Sequence, residues 1–433
     1  MLGHDLTVFE KLSEPGGMVR YGIPDYRLPK DILEEEIGAI RNIGVEIKTD
    51  CIIESPAKLL KEGYDAVFLA IGAHKGLKLG IDGEDLPAVM DCIPLMRDLN
   101  SGKKITLGAK VAIIGGGNAA IDTARCALRL GSKEVTVLYR RSREEMPASP
   151  PEIDDALTEG VKIEFLSMPA GIRENNGKIR MDCLRTRLGD MDIGGRRQSE
   201  PVMGSEFIMD VDSIISAIGQ EPEIPGDFGP AIGQGNKIQV DTETLSTDKK
   251  GIFAGGDAVS GPASVIEAIA DGRRAAIEID RYLGGKGELD MDPVKPEEKT
   301  LQTELQGFPV EDRARMPTLS IDARLKDFSP VELGFSEDQA INEAKRCLRC
   351  DLPLTIVTEN CTGCLTCVMR CSLRFDQSFS PLKAKVKVTP FADGRPNEIS
   401  FRDECDTCGI CARSCPHDAI YRGERRIETD RVK

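Results

Sequence analysis

The sequence predicts an α/β protein made of strand–turn–helix units, followed by a small cysteine-rich α+β module. Three observations carry this reading. "VAIIGGGNAAIDTA" puts a glycine loop between a continuous apolar strand and a helix. "GIFAGGDAVSGPASVIEAI" repeats strand, turn and helix, with Asp257 in the turn. "CTGCLTCVMRC" and "CDTCGICARSCP" each hold four cysteines at C-x2-C-x2-C-x3-C spacing.

Composition narrows the classes. A chain of 433 residues has room for roughly two to four domains. With 40% hydrophobic residues, 43 glycines and 25 prolines, it is globular and rich in tight turns. A net charge of −15, no Trp and only 4% aromatics argue against a nucleic-acid partner. No apolar run approaches the ~18–20 residues of a membrane helix, and no basic region followed by an apolar core opens the chain. The expected location is cytoplasmic. Ten of the 14 cysteines fall between Cys347 and Cys415, which in a reducing compartment suggests metal rather than disulfides. Cys51, Cys92, Cys126 and Cys183 are scattered and read as small buried apolar residues.

Taken in order, "LTVFE" is a buried strand ending in an acid, and "EPGGM" is a tight turn holding Gly16 and Gly17. "DAVFLAIGAHKG" is a short strand with a glycine turn. "AKVAIIGGGNAAIDTARCALRLG" is strand, loop and amphipathic helix, and "EVTVLYRRSREEMPA" is the next strand, with a basic end. "DSIISAIGQEPEIPG" is a further buried strand, and "GIFAGGDAVSGPASVIEAIADGRRAAIEIDRYL" ends in a long helix. From Gly284 to about Arg324 the chain is polar and weakly periodic, and reads as a surface linker. A helix follows at "SEDQAINEAKRCLRC", capped by Ser336.

Gly115, Gly117 and Ala120 stand in G-x-G-x-x-A spacing, with Asn118 opening the helix. Such glycines let the backbone approach a pyrophosphate, and the free N–H groups of the helix N-terminus favour its charge. The following strand ends in Arg140 and Arg141, where an acid would grip a ribose 2′-hydroxyl. Guanidinium groups suit a 2′-phosphate, so NADP(H) is favoured, with NAD(H) as the other choice. Asp257, after Gly256, can bond the hydroxyls of a sugar chain. The helix start near Ser264 and Val265 can face an electron-rich ring edge, which suits a flavin. Glu10 fits the acid that binds the adenosine ribose of FAD.

The order of "LTVFE…PGGMVRYGIP", "DAVFLAIGA", "VAIIGGGNAAID…YRRSREEMPA", "DSIISAIGQEP" and "GIFAGGDAVSGPASVIEAIADGRRAA" resembles the glutamate synthase small subunit family. That family is similar in fold to the flavin half of dihydropyrimidine dehydrogenase and to NADPH-dependent ferredoxin oxidoreductases of electron bifurcation. The resemblance runs to about residue 350 and implies a two-dinucleotide-binding-domain flavoprotein, a Rossmann-like FAD domain interrupted by an inserted NAD(P)H domain. It maps Glu10, Gly16, Gly17 and Asp257 onto FAD contacts and puts Tyr21–Pro24 near the flavin ring.

In that family the FAD domain begins with a strand and its own glycine loop, whereas this sequence starts at the turn after them. The missing strand would be central, and its loss would expose ladder groups on both neighbours. Three origins are open: a start assigned too late, a partner chain that supplies the strand, or a decayed FAD site. The first 340 residues hold no C-x2–4-C pair, so flavin-linked disulfide chemistry is set aside.

In cysteine runs of this spacing, three ligands of one run and the fourth of the other bind each cluster. Cys361, Cys364, Cys367 and Cys415 are therefore assigned to one 4Fe–4S cluster, and Cys405, Cys408, Cys411 and Cys371 to the other. Zinc fits poorly, since its sites pair two C-x2-C knuckles. "CTGCLTCVMRCSLRF" and "SPLKAKVKV" resemble the ferredoxin-like subunits that serve molybdenum and tungsten oxidoreductases. Cys347 and Cys350 are open between ligands of a further cluster and a structural relic. His4, His74 and His417 read as structural.

The expected domains are 1–103, the first part of the FAD domain; 104–222, the NAD(P)H domain; 223–285, the second part of the FAD domain; 286–345, linker and helix; and 346–433, a bacterial-ferredoxin-like domain. The expected function is an electron-transfer subunit that links NAD(P)H, FAD and two clusters to a redox partner subunit or a ferredoxin. The alternatives are an iron–sulfur scaffold without FAD and a glutamate synthase small subunit.

Overall fold

The computed structural model describes residues 2–175, 177–191, 197–288, 313–346, 354–376, 378, 380–391, 395–402, 405 and 408–422. The chain divides into two units, Met1–Pro293 with Thr318–Glu332, and Val294–Pro317 with Leu333–Lys433.

The first unit is built on a five-stranded parallel sheet. Its order is Val89–Asp91, Ser213–Ser216, Lys110–Ile114, Glu134–Tyr139 and Lys162–Phe165. The middle strands are continuous apolar runs because both faces are covered. Val111, Ile113, Val135, Val137 and Ile215 pack with residues of the helices Cys92–Asn100, Asn118–Arg129 and Pro150–Glu159. Ala112, Ile114, Leu138 and Ile214 face the other way, onto Ile172, Ile179, Met181 and Cys183. Those four belong to an antiparallel sheet of Ser167–Asn175, Lys178–Met191, Arg197–Pro201 and Phe207–Val211. The second face of the parallel sheet is thus closed by hairpins.

Two further parallel pairs belong to this unit, Thr7–Phe9 with Glu46–Lys48 and Val67–Leu69 with Ile252–Ala254. Among the described residues no strand joins these pairs into one sheet. Leu6, Val8, Ile266 and Ile269 remain exposed.

The stretch read as a linker divides. Residues 289–312 lie outside the described residues, whereas Thr318–Glu332 folds with the first unit. Val331 is buried in the helix-side core, and its N–H donates to the Tyr26 carbonyl at 3.1 Å. Arg324 is buried and meets Asp155 at 3.1 Å and Glu159 at 3.6 Å. The polar character that suggested a linker is what lets Arg324 enter a charged network. Arg125 and Arg129 hold the fully buried Glu159 at 2.6 and 2.8 Å. Arg27 holds Asp122 at 2.7 Å, and Arg125 also pairs with Glu152. The Tyr26 ring lies beneath the Arg125 and Arg129 guanidiniums, 4.7 and 4.1 Å from its centroid.

In the second unit the helix Glu337–Arg346 is capped as expected: Gln339 N–H donates to Ser336 Oγ at 3.3 Å. Cys347 and Cys350 lie outside the described residues. The cysteine-rich part has two antiparallel pairs, Leu354–Ile356 with Ile420–Arg422 and Val386–Thr389 with Glu398–Phe401. The helices Thr366–Asp376 and Ile410–Arg413 follow the two cysteine loops. Val368, Val386, Ile399, Ile410 and Ile420 form the core together with Cys367, Cys371, Cys408 and Cys411.

Candidate functional site

The glycine loop leaves the buried strand Lys110–Ile114 and turns into the helix Asn118–Arg129. Its glycines have different reasons to be glycine. Gly115 has φ +143°, and a Cβ there would lie 2.2 Å from the Ala217 carbonyl oxygen. A Cβ on Gly116 would lie 2.4 Å from the Tyr139 ring. Gly117 has φ −86° and meets nothing within 4 Å. The first two are therefore required by the protein's own packing, while Gly117 faces open space at a helix N-terminus. That is the surface a pyrophosphate needs. Ala120 is buried against the sheet, and Asn118 Oδ1 accepts from Ser149 N–H at 3.0 Å.

The strand end separates the arginines. Arg140 is exposed, and its carbonyl accepts from Thr186 Oγ1 at 2.7 Å. Arg141 is buried, and its Nε donates to the Arg197 carbonyl. Arg143 pairs with Asp154 at 2.5 Å.

The flavin-side residues sit in three loops. Glu10 is half-buried, and its carboxylate accepts from Leu12 N–H at 2.8 Å. Gly16 and Gly17 open the short helix Gly17–Tyr21 with φ +126° and +50°. The segment after it is fastened by residues that sequence reasoning missed. Asn100 Nδ2 donates to the carbonyls of Tyr21 and Ile23 at 2.8 and 3.2 Å, and Lys30 Nζ donates to Ile23 at 2.9 Å. Gly256 has φ +65°, and its N–H donates to Asp271 at 2.8 Å. Asp271, held in turn by Arg274 at 2.8 Å, was also missed; the i,i+3 spacing of that acid and arginine was its signal. Burial pushes the Asp257 carboxyl up, and it accepts from Ala263 N–H at 3.1 Å. Ser264 and Glu267 form a reciprocal cap, with Val265 as the first helical residue.

In the second unit, Cys361, Cys364, Cys367 and Cys415 line one concavity with Pro416 and His417. Burial pushes the Cys367 thiol up to about 11, with Cys415, Cys361 and Cys364 as charged neighbours. Burial pushes Cys411 up to about 12, with Cys408, Cys371 and Cys367 as neighbours, and Cys405 neighbours Cys371. Cys367 thus has one neighbour from the second run, Cys415, and Cys411 has two from the first, Cys371 and Cys367, which suits the expected crossed ligation. Cys371 Sγ accepts from Lys385 N–H at 3.1 Å, and Cys415 Sγ from Ala419 N–H at 3.3 Å. Buried sulfurs with sulfur neighbours and backbone donors fit thiolate ligation of an iron–sulfur cluster. Among the described residues no three Cys, His, Asp or Glu side chains gather as ligands of a single metal ion.

The fold and the nucleotide site define a flavin- and pyridine-nucleotide-dependent oxidoreductase of two dinucleotide-binding domains, joined to an iron–sulfur module. Residues 31–272 match the family described as pyridine nucleotide-disulphide oxidoreductase, and residues 401–421 match the 4Fe-4S binding domain. The chain belongs to the pyridine nucleotide-disulphide oxidoreductase family. It is 41% identical over 365 residues to the NADP(+)-dependent formate dehydrogenase subunit beta of Moorella thermoacetica, covering 80% of this chain and 51% of that one. It is 38% identical over 398 residues to the NADPH-Fe(3+) oxidoreductase subunit beta of Geobacter sulfurreducens, covering 80% and 58%. With the Escherichia coli glutamate synthase [NADPH] small chain it shares 33% identity over 302 residues, covering 65% and 64%. The chain therefore spans between half and two thirds of the length of these relatives. Mycobacterium tuberculosis FprA in complex with NADPH shares the fold, with a TM-score of 0.54 at 20% identity, covering 65% of this chain and 77% of that one. Among the described residues of the matched region no cysteine pair stands ready for disulfide exchange. Cys92, Cys126 and Cys183 are each buried without a disulfide partner, and burial raises all three thiols.

Proposed function

We propose that this chain is an electron-transfer subunit linking NADP(H) to a redox partner through FAD and two 4Fe–4S clusters. The observation that carries the reading is the joining, in one chain, of an open glycine loop at Gly117 and a concavity lined by Cys361, Cys364, Cys367 and Cys415. Gly115–Ala120 would hold the pyrophosphate of NADP(H), with Arg140 near its 2′-phosphate. Glu10, Gly16, Gly17, Gly256, Asp257 and Val265 would hold FAD. When bound, the flavin exchanges a hydride with the nicotinamide and single electrons with the clusters. The side chains described here bind and orient; none is asked to act as acid or base. Flow in either direction is compatible with these sites.

The partner is a catalytic subunit or a ferredoxin. The beta-subunit relatives support a partner subunit, and the first cysteine run favours a molybdenum or tungsten oxidoreductase. Eight cysteines kept as thiolates favour a reducing, cytoplasmic location.

The second reading is a cluster-carrying scaffold without FAD. Expression under anoxic conditions, with flavin and iron analysis and NADPH-driven reduction of a viologen, separates them. The proposal expects about eight irons and one flavin per chain and NADPH-dependent reduction. About eight irons with no flavin, alone and with candidate partner chains, would leave the scaffold.

A further inference from the structure

The hairpin strands Lys178–Met191 and Arg197–Pro201 belong to no dinucleotide-binding pattern, yet they reach the end of the strand Glu134–Tyr139. Two hydrogen bonds fasten them there. Thr186 Oγ1 donates to the Arg140 carbonyl at 2.7 Å, and Arg141 Nε donates to the Arg197 carbonyl; Leu166 N–H, just before the strand Ser167–Asn175, adds a bond to the Arg141 carbonyl at 3.1 Å. The buried Arg141 side chain is thus taken up in holding the hairpin. The first residue of the fastened strand lays its own side chain on the same turn. Arg197 Nε lies 3.9 Å from Glu145 Oε1, and its side chain is 53% exposed. Glu145 in turn accepts from Ser142 N–H at 3.2 Å, so the Arg197 guanidinium overlies the turn that follows Arg140 and Arg141. In a dinucleotide-binding unit, this end of the second strand is where the adenosine ribose lies.

We propose that Arg197 is a specificity residue for NADP(H), joining Arg140 on the 2′-phosphate while Arg141 acts from beneath as the fastener. The inference rests on the nucleotide site proposed above and names a contact within it. A carboxylate 3.9 Å away is a loose partner in water, and a phosphate offers the guanidinium a tighter, two-pronged one. NAD(H) offers only a neutral hydroxyl at that position. Discrimination between the two nucleotides is then shared between the parallel sheet and the hairpin that covers it.

The test is calorimetric titration of the full chain with NADP+ and with NAD+. Arg197→Ala keeps the backbone carbonyl that Arg141 uses, so the hairpin stays fastened. The expected result is about a tenfold loss of NADP+ affinity with NAD+ affinity held within about twofold. Arg197→Lys, which restores charge but not the fork, recovers only part of the loss. Equal weakening of both nucleotides, or no change in either, overturns the assignment. A wild-type chain that binds NAD+ as tightly as NADP+ overturns it too, while leaving the glycine-loop reading intact. A wild-type chain that binds neither overturns the nucleotide site and this inference together.

Discussion

Replacing Gly115 and Gly117 separately by alanine divides what the loop does for the fold from what it does for a ligand. At Gly115 the φ of +143° is strained for any L side chain, at about 1–3 kcal/mol. The new Cβ would sit 2.2 Å from the Ala217 carbonyl oxygen, so the backbone must part by roughly 1 Å. The neighbouring bond from Ala217 N–H to the Ile114 carbonyl, 2.8 Å long, ties two central strands and would be lost or weakened, at about 1–3 kcal/mol. The sum is about 2–6 kcal/mol, a fall of several degrees in Tm. At Gly117 the backbone is extended and no atom lies within 4 Å, so alanine fits and Tm is unchanged or slightly raised. The same methyl group stands where a pyrophosphate would approach, and NADPH affinity should fall at least about tenfold. Thermal unfolding by circular dichroism and titration of NADPH fluorescence measure the two effects. A Gly117→Ala chain that binds NADPH like wild type, or a Gly115→Ala chain as stable as wild type, would refute the reasoning.

The cysteine crossing is tested by pairs: Cys361→Ser with Cys415→Ser should lose no more iron than either alone, about four atoms, whereas Cys371→Ser with Cys415→Ser should lose about eight. If the first pair loses all the iron, the quartets are wrongly drawn. Glu159→Gln removes the carboxylate that Arg125 and Arg129 share and should cost about 3–5 kcal/mol in urea unfolding, because both guanidiniums stay buried. Burial outweighs the Arg27 pair and pushes Asp122 up to about 6 from 3.8. With its folded pKa above its unfolded one, the stability Asp122 contributes is present below about pH 4 and lost as pH rises through 6. Asp122→Asn should therefore flatten that part of the stability profile; an unaltered slope between pH 4 and 6 would speak against a raised carboxyl.

Much of the site was legible because its signals are local. An apolar run such as "VAII" followed by three glycines specifies strand, turn and helix within ten residues. The cysteine runs carry their expected pairing in their spacing. What was not legible depends on distant partners. Nothing near Arg324 reveals that it meets Asp155, 169 positions away. Arg140 and Arg141 look alike in sequence, but in the turn after the strand the distant hairpin takes up Arg141 and leaves Arg140 exposed. The hairpin left a readable trace, since buried Ile179, Met181 and Cys183 alternate with Arg180 and Asp182 beyond an "NNG" turn. The two open parallel pairs belong to another kind of limit: unpaired strand edges leave no mark in composition.

The return of Thr318–Glu332 changes where this protein can be cut. A division after the long helix, at Tyr282, follows the motifs but would strip Arg324 from Asp155 and Glu159 and Val331 from the Tyr26 carbonyl. The first unit ends only at Glu332, and the second also takes in Val294–Pro317, where Ala314 N–H donates to Glu343 at 2.7 Å. Exchange of iron–sulfur modules between such chains, by recombination or by design, therefore has no single joint in sequence, because the second unit is drawn from both sides of Thr318–Glu332. A graft made at Tyr282 would carry away Val331 and with it part of the recipient's core.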